Sequence, residues 1–340
     1  MILGLDIGGA NTKASSSDGC YTKSVYLPIW KDFRLEAVLS KIREDYPNVE
    51  KVAVVMTGEG ADSFSEKRFG IRYIQQRVES IFDDVYYFSI DGTFEREITD
   101  EKKFFSANWI ASVIKLMDFD KSFLFIDMGS TTTDIIPVIN GRICSERTDF
   151  ARLLDGTLVY IGSLRTNVST MVEKVRILSR NRYCPIAKEQ YAQMADVYNI
   201  LGDINEENYT CETPDGKGKS IEDSKKRLAR IVCCDHDDLT NEELINIAEE
   251  IKMVEIKMLF DTITKFLNKT DKIKKIFVAG SGEFVVREAL KRINGLYDIN
   301  YLSDLFGTEI SSIFPAFSVG SLLDRCLRYN NLHYYGNVFK

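Results

Sequence analysis

Two nine-residue stretches decide how this chain is read: Leu5-Asp6-Ile7-Gly8-Gly9-Ala10-Asn11-Thr12-Lys13 and Ile126-Asp127-Met128-Gly129-Ser130-Thr131-Thr132-Thr133-Asp134, which align at an offset of 121 residues. Each is an apolar strand that ends in Asp, turns through Gly and small polar residues, and starts a second strand. Each second strand closes on a turn signal, Asp18-Gly19 in one copy and Asn140-Gly141 in the other. Glycine lets backbone N–H groups approach an anion closely, and Ser or Thr hydroxyls add short donors. An Asp at a strand end can hold Mg²⁺ directly or through its waters. Two such hairpins facing each other would grip a polyphosphate from both sides.

Working outward, strands alternate with helices. Ile2 to Ile7, Tyr21 to Tyr26, Val52 to Met56 and Val85 to Ile90 read as strands. Leu35 to Asp45, Glu66 to Phe82 and Phe104 to Met117 read as helices. A second block starts with a strand over Ser122 to Asp127. Residues 168 to 267 read as mostly helical, apart from the polar stretch Cys211 to Ser220. The pattern then returns to α/β with a strand Lys275 to Ala279, a glycine turn, a helix Phe284 to Ile293 and a last helix Phe317 to Arg328. The fold class expected is α/β with two lobes: 1–118 as the first lobe plus an interlobe helix, and 119–311 as the second, carrying a helical insertion at about 168–267. Residues 312–340 are expected to pack back toward the first lobe.

Composition excludes several functions. The 340 residues carry 44 Lys+Arg against 51 Asp+Glu, a formal net charge of −7, which argues against nucleic-acid binding. With 2 His a multi-histidine metal centre is impossible, and acid–base work falls to carboxylates. The 7 Cys contain no CxxC pair, and the adjacent Cys233 and Cys234 are a poor chelate for tetrahedral zinc. No apolar run approaches the ~20 residues of a membrane span, and Met1 to Asp6 has no basic export signal, so a cytoplasmic protein without a membrane partner is expected.

The paired hairpins resemble the two phosphate loops of the acetate kinase, sugar kinase, Hsp70 and actin superfamily, whose two lobes hold nucleotide phosphates and a metal between them. That resemblance implies the actin-like, ribonuclease H-like fold. Its third element, an adenosine-seating glycine turn, corresponds to Phe277-Val278-Ala279-Gly280-Ser281-Gly282-Glu283; whether ATP enters is left open by a glycine cluster sparser than the superfamily's. A narrower resemblance rests on Asp6 to Asn11, Met56-Thr57-Gly58-Glu59, Ala107-Asn108-Trp109, Ile126 to Pro137, Arg147 to Leu153, Gly162 to Thr166 and Thr213-Pro214-Asp215-Gly216. In order and spacing these are similar to the archaeal hydantoinase-related family linked to tetrahydromethanopterin one-carbon transfer, whose methanogen members resemble a condensing enzyme of methanofuran biosynthesis. The reaction this implies joins a furanmethylamine diphosphate to the phenol of γ-glutamyltyramine and releases pyrophosphate.

For that chemistry Asp6 and Asp127 are the expected Mg²⁺ ligands. Gly8, Gly9, Asn11, Thr12, Gly129, Ser130, Thr131 and Thr132 are expected to face phosphate, with Gly280 and Gly282 as the third loop and Lys13 as a nearby cation. A phenol, with a pKa of ~10, needs a base within hydrogen-bond reach. Asp134 and Glu59 are the candidates, with Asp149 a third. Arg152 and Arg165 could meet the acceptor's glutamyl group or form surface ion pairs. Trp109 and Tyr160 read as core or as substrate platforms. Beside the transferase, an ATP-dependent kinase or ATPase of the same fold and a non-catalytic polyphosphate sensor are the open alternatives. Oligomeric state is not legible.

Overall fold

The computed structural model describes residues 1–336, 338 and 339. The first lobe runs β1 (Ile2–Ile7), β2 (Asn11–Ser16), β3 (Thr22–Tyr26), α1 (Leu35–Asp45), β4 (Lys51–Met56), α2 (Lys67–Glu79), β5 (Val85–Phe88), β6 (Phe94–Glu95) and α3 (Asn108–Leu116). The second opens with β7 (Phe123–Met128), β8 (Thr133–Ile139), β9 (Arg142–Ile143), α4 (Asp149–Asp155) and β10 (Leu158–Val159). Next come α5 (Val168–Met171), β11 (Lys174–Ile177), β12 (Arg182–Pro185), α6 (Met194–Leu201), α7 (Ile221–Arg230) and α8 (Asn241–Leu267). The chain closes with β13 (Lys275–Ala279), α9 (Glu283–Leu290), β14 (Asp298–Tyr301), α10 (Leu302–Phe306), α11 (Thr308–Ser312) and α12 (Phe314–Arg328).

The two main sheets match over five strands, β3-β2-β1-β4-β5 in one and β10-β8-β7-β13-β14 in the other. One has the order β3-β2-β1-β4-β5-β6, the other β10-β8-β7-β13-β14 with β9 beside β8. β1 pairs antiparallel with β2 and parallel with β4, which pairs parallel with β5; likewise β7 pairs antiparallel with β8 and parallel with β13, which pairs parallel with β14. This repeated arrangement is the two-lobed, actin-like form of the ribonuclease H-like fold.

Strand alternation builds the layers. Leu3, Leu5 and Ile7 enter a core with α1 and α2, while Leu124, Ile126 and Met128 enter a core with α6, α8 and α9. The opposite faces meet in a central core: Ile2 and Val55 from one sheet, Phe123 and Phe125 from the other, with α3 and α12 between them. Asp6 and Asp127 continue these central-facing rows, so each lobe presents its strand-end carboxylate toward the other.

Three sequence expectations are corrected. The helix expected from Phe104 begins at Asn108, because Glu101–Phe104 forms a separate 3₁₀ turn and Ser106 adopts a left-handed φ of 50°. The insertion includes the β11–β12 hairpin, whose mostly exposed residues carry little apolar periodicity. The last helix starts three residues early, with Pro315 in its first turn, where a missing N–H costs nothing. Among the described residues no helix is long and apolar enough to cross a membrane.

The contact of β1 with α12 leaves no room for a side chain. A Cβ on Gly4 would lie 2.0 Å from the Ala316 carbonyl oxygen and 2.8 Å from the Gly320 nitrogen. Gly4→Ala should therefore lower stability by about 2–3 kcal/mol through overpacking. Gly9→Ala, where a Cβ meets nothing within 4 Å, should stay within about 0.5 kcal/mol. Equal denaturant midpoints for the two variants would refute this account of the β1–α12 contact.

Candidate functional site

The sequence echo is reproduced bond for bond. Asp6 lies opposite Lys13 across β1–β2, and Asp127 lies opposite Asp134 across β7–β8. In the first turn the Gly8 N–H donates to the Asn11 carbonyl at 2.9 Å; in the second the Gly129 N–H donates to the Thr132 carbonyl at 2.9 Å. Residues directly opposite on antiparallel strands share a face, so Asp6, Lys13, Asp127 and Asp134 all face the space between the lobes.

Their charges interact. Burial pushes the Asp6 carboxyl up to about 6, opposed by Lys13 and reinforced by Asp134. Burial raises Asp127 further, to about 7, again opposed by Lys13, with Asp134 and Asp6 adding repulsion. Asp134 is also raised by burial, but the Arg152 guanidinium beside it favours its carboxylate. Lys13 thus serves carboxylates of both lobes. One carboxylate oxygen of Asp6 is buried without a partner, an arrangement stable only if the group is protonated or meets a cation. Among the described residues no three His, Cys, Asp or Glu side chains gather in a metal-binding cluster. Asp6 and Asp127 form a two-carboxylate, hard-oxygen donor set, which suits Mg²⁺ completed by substrate oxygens and water.

A brace holds the second turn. Gly162 lies against the Ser130–Thr131 backbone, where a Cβ would come within 2.3 Å of the Thr131 nitrogen. The Ser163 N–H donates to the Gly129 carbonyl at 3.0 Å, and the Arg165 N–H to the Ser130 carbonyl at 2.8 Å. The Arg165 guanidinium then reaches the Thr131 hydroxyl at 3.1 Å and stacks on the Trp30 ring at 4.5 Å.

Several expected site residues are placed differently. Thr12 is fully buried on the face opposite Lys13, because side chains alternate along β2, so it faces the core instead of phosphate. The N–H groups of Gly8 and Gly129 are committed to their own turns. Those of Gly280 and Gly282 donate to the Ser311 and Met128 carbonyls, at 3.1 and 2.8 Å, so neither is available to an anion. Gly280 is glycine for space: at φ 98° a Cβ would meet the Met128 carbonyl at 2.3 Å and the Asp127 carboxylate at 2.4 Å. Gly9, Asn11, Ser130, Thr131 and Thr132 remain partly exposed around the two turns. Arg152 is 1% exposed, lies 4.2 Å over the Trp109 ring and pairs with Asp134, so it does not offer an open guanidinium to a substrate. Trp109 is buried beneath it, whereas Tyr160 is exposed.

Glu59 and Asp149 meet through a residue that sequence reading missed. Ser106 Oγ lies 2.7 Å from an Asp149 oxygen and 3.1 Å from a Glu59 oxygen. One hydroxyl has one proton, so both contacts are hydrogen bonds only when a carboxyl supplies a second. Burial raises Glu59 to about 7, with Lys67 opposing, so Glu59 holds that proton at mildly acidic pH. Arg152 joins this cluster to Asp134, reaching Asp149 at 3.5 Å.

A cavity of about 770 Å³ opens beside the second turn. Tyr26, Trp30 and Lys31 of the first lobe line one wall; Arg165, Gln193 and the loop from Thr210 to Lys219 line the other. The buried Arg227 fixes that loop, contacting Asp196 at 2.8 Å, Asp215 at 3.1 Å and the Gly218 carbonyl at 2.9 Å. The Thr213–Gly216 segment pointed to this loop; no local pattern marked Trp30, Lys31, Lys217 or Lys219.

Residues 50–299 match the family model described as hydantoinase/oxoprolinase. The chain belongs to the hydantoinase/oxoprolinase family. Within it, the chain is 38% identical over 338 residues to the (4-{4-[2-(gamma-L-glutamylamino)ethyl]phenoxymethyl}furan-2-yl)methanamine synthase of Methanocaldococcus jannaschii, covering 96% of this chain and 98% of that one. It is 35% identical over 208 residues to the Methanococcus vannielii protein of the same name, covering 61% of this chain and 92% of that one. An archaeal actin homolog in complex with ADP aligns with 96% of this chain and 99% of its own at 11% identity and a TM-score of 0.42. The family resemblance carried by the motifs is thereby borne out.

The raised carboxyls of this hydantoinase/oxoprolinase chain have a pH consequence. A carboxyl whose folded pKa exceeds its unfolded value contributes stability below the unfolded value that is lost as pH rises through the folded one. For Asp127 that window runs from its ordinary 3.8 to about 7. Asp127→Asn removes this component. Without divalent metal, its melting temperature should exceed that of the wild type by a margin that grows from pH 4 to pH 7 and then levels. A margin independent of pH would contradict the burial of this charge.

Proposed function

We propose that the protein is a synthase that joins a furanmethylamine diphosphate to the phenol oxygen of γ-glutamyltyramine and releases pyrophosphate. The observation that carries this reading is the facing pair of strand-end carboxylates, buried Asp6 and partly buried Asp127, both under the electrostatic influence of Lys13. That pair is suited to a metal-bound diphosphate, and the compound in the relatives' name, an aryl ether between γ-glutamyltyramine and a furanmethylamine, is what joining these two substrates would give.

Asp6 and Asp127 would hold Mg²⁺, which when bound neutralises charge gathering on the departing diphosphate. Lys13, the Ser130 and Thr131 hydroxyls and the free N–H groups of both turns hold the diphosphate oxygens and favour the charge that develops there. Asp134 takes the phenol proton as the aryl oxygen bonds to the furfuryl carbon and the carbon–oxygen bond to diphosphate breaks. Arg152 opposes the effect of burial on Asp134, favouring its carboxylate, and fixes its orientation, so it is a positioning residue. Proton transfer of this kind contributes ~10²–10⁴-fold.

Purified protein with Mg²⁺, the furan diphosphate and γ-glutamyltyramine, without ATP, should form the aryl ether and pyrophosphate in equal amounts. Asp6→Asn and Asp127→Asn should each reduce turnover at least ~100-fold while leaving circular dichroism unchanged. Turnover that requires ATP would replace this reading with a kinase or ATPase of the same fold. Full activity of both variants would remove the metal assignment.

A further inference from the structure

The 770 Å³ cavity opens beside the second hairpin, and its chemistry is unlike the rest of this acidic chain. Four cationic side chains, Lys31, Arg165, Lys217 and Lys219, line it, against one carboxylate, Glu212. Their existing partners leave donors over. Arg165 uses one nitrogen on Thr131, and the Lys219 ammonium donates to the Tyr209 carbonyl at 2.6 Å, while Lys31 is the ion-pair partner of Glu212. Lys217 is exposed at the rim. Trp30 provides an aromatic face, already stacked on Arg165. Arg165 belongs both to the cavity wall and to the second turn, so a ligand in the cavity ends beside the diphosphate loops.

We propose that this cavity is the subsite for the amino-acid end of the acceptor, a zwitterion whose carboxylate meets Lys217, Lys219 and Arg165 and whose ammonium meets Glu212. The proposal rests on the acceptor named above. A γ-linked glutamyl group leaves one carboxylate and one ammonium free on the same carbon. The cavity matches that pair: clustered cations for the one, a single carboxylate for the other. Lys31 holds Glu212 in place until the ligand ammonium shares it. The phenol end of the molecule then runs along Trp30 and Arg165 toward Thr131, which fixes the direction in which the acceptor enters. Tyramine, a cation without a carboxylate, meets an excess of like charge and is rejected. Lys217 and Glu212 are exposed, so each single charged contact here is worth ~2–5-fold in affinity, and the loss of several together more.

Trp30 makes the site observable, since the only other tryptophan, Trp109, is buried under Arg152. Titration of the whole protein with γ-glutamyltyramine should change tryptophan fluorescence saturably, and Trp30→Phe should abolish the change. Tyramine, which loses every carboxylate contact, should bind at least ~10-fold more weakly, and Lys217→Gln should weaken γ-glutamyltyramine by ~2–5-fold. The glutaryl amide of tyramine, which keeps the carboxylate and lacks the ammonium, should bind more weakly than γ-glutamyltyramine and be insensitive to Glu212→Gln. Equal affinity for tyramine and γ-glutamyltyramine, or wild-type affinity in both Lys217→Gln and Glu212→Gln, would overturn the subsite. So would the absence of saturable binding. The condensation assay is a separate readout: product formed with no effect of these variants leaves the synthase and removes the subsite. Discriminating binding without product does the reverse.

Discussion

Everything near the interlobe space is organised by one electrostatic constraint: two strand-end aspartates, Asp6 buried and Asp127 partly buried, face each other with one lysine acting on both. Burial raises both carboxyls, and Lys13 opposes that rise for Asp6 and Asp127 alike. Placing a carboxylate where water cannot reach it is costly unless something positive arrives. The empty-handed oxygen of Asp6 states the same requirement in geometry. A site of this kind is tuned toward cationic or metal-bearing ligands before any particular substrate is considered.

The two hairpins share one layout and differ in charge at one matching position. Lys13 and Asp134 occupy the same place in the repeat, opposite Asp6 and Asp127. The first lobe therefore contributes an acid with a cation, the second a pair of acids. The second pair requires its own counterion, which Arg152 supplies from α4, while stacking on Trp109 at 4.2 Å keeps that guanidinium rigid. An arginine in that position is a support for Asp134, which explains why it is absent from the cavity wall while Arg165, thirteen residues later in the chain, lies in it.

How much was legible in the sequence follows from the range of each interaction. The hairpins, their strand-end acids and the alternation of strands and helices are encoded in contiguous residues, and the echo made the duplicated sheet readable. Face assignment was partly readable: alternation places Thr12 opposite Lys13, and applying it strictly would have removed Thr12 from the phosphate set. The commitment of the Gly280 and Gly282 amides was not readable, because their acceptors, Ser311 and Met128, come from other segments. The cavity was hidden for the same reason. Lys31 and Lys217 belong to different lobes and meet only after both have folded. Ser106 gave no sign of joining Glu59 to Asp149, since its role depends on a left-handed backbone that local preference disfavours.

The close approach of Gly4 to Gly320 also has a meaning for synthesis on the ribosome. The inner surface of β1 is sealed by a helix, Phe314–Arg328, that follows it in the chain only after the whole second lobe. Contacts this distant in sequence form late, after the chain entropy between them has been overcome. Until that helix has been made, the inner face of the first sheet lacks this cover, so its closure is coupled to completion of the second lobe.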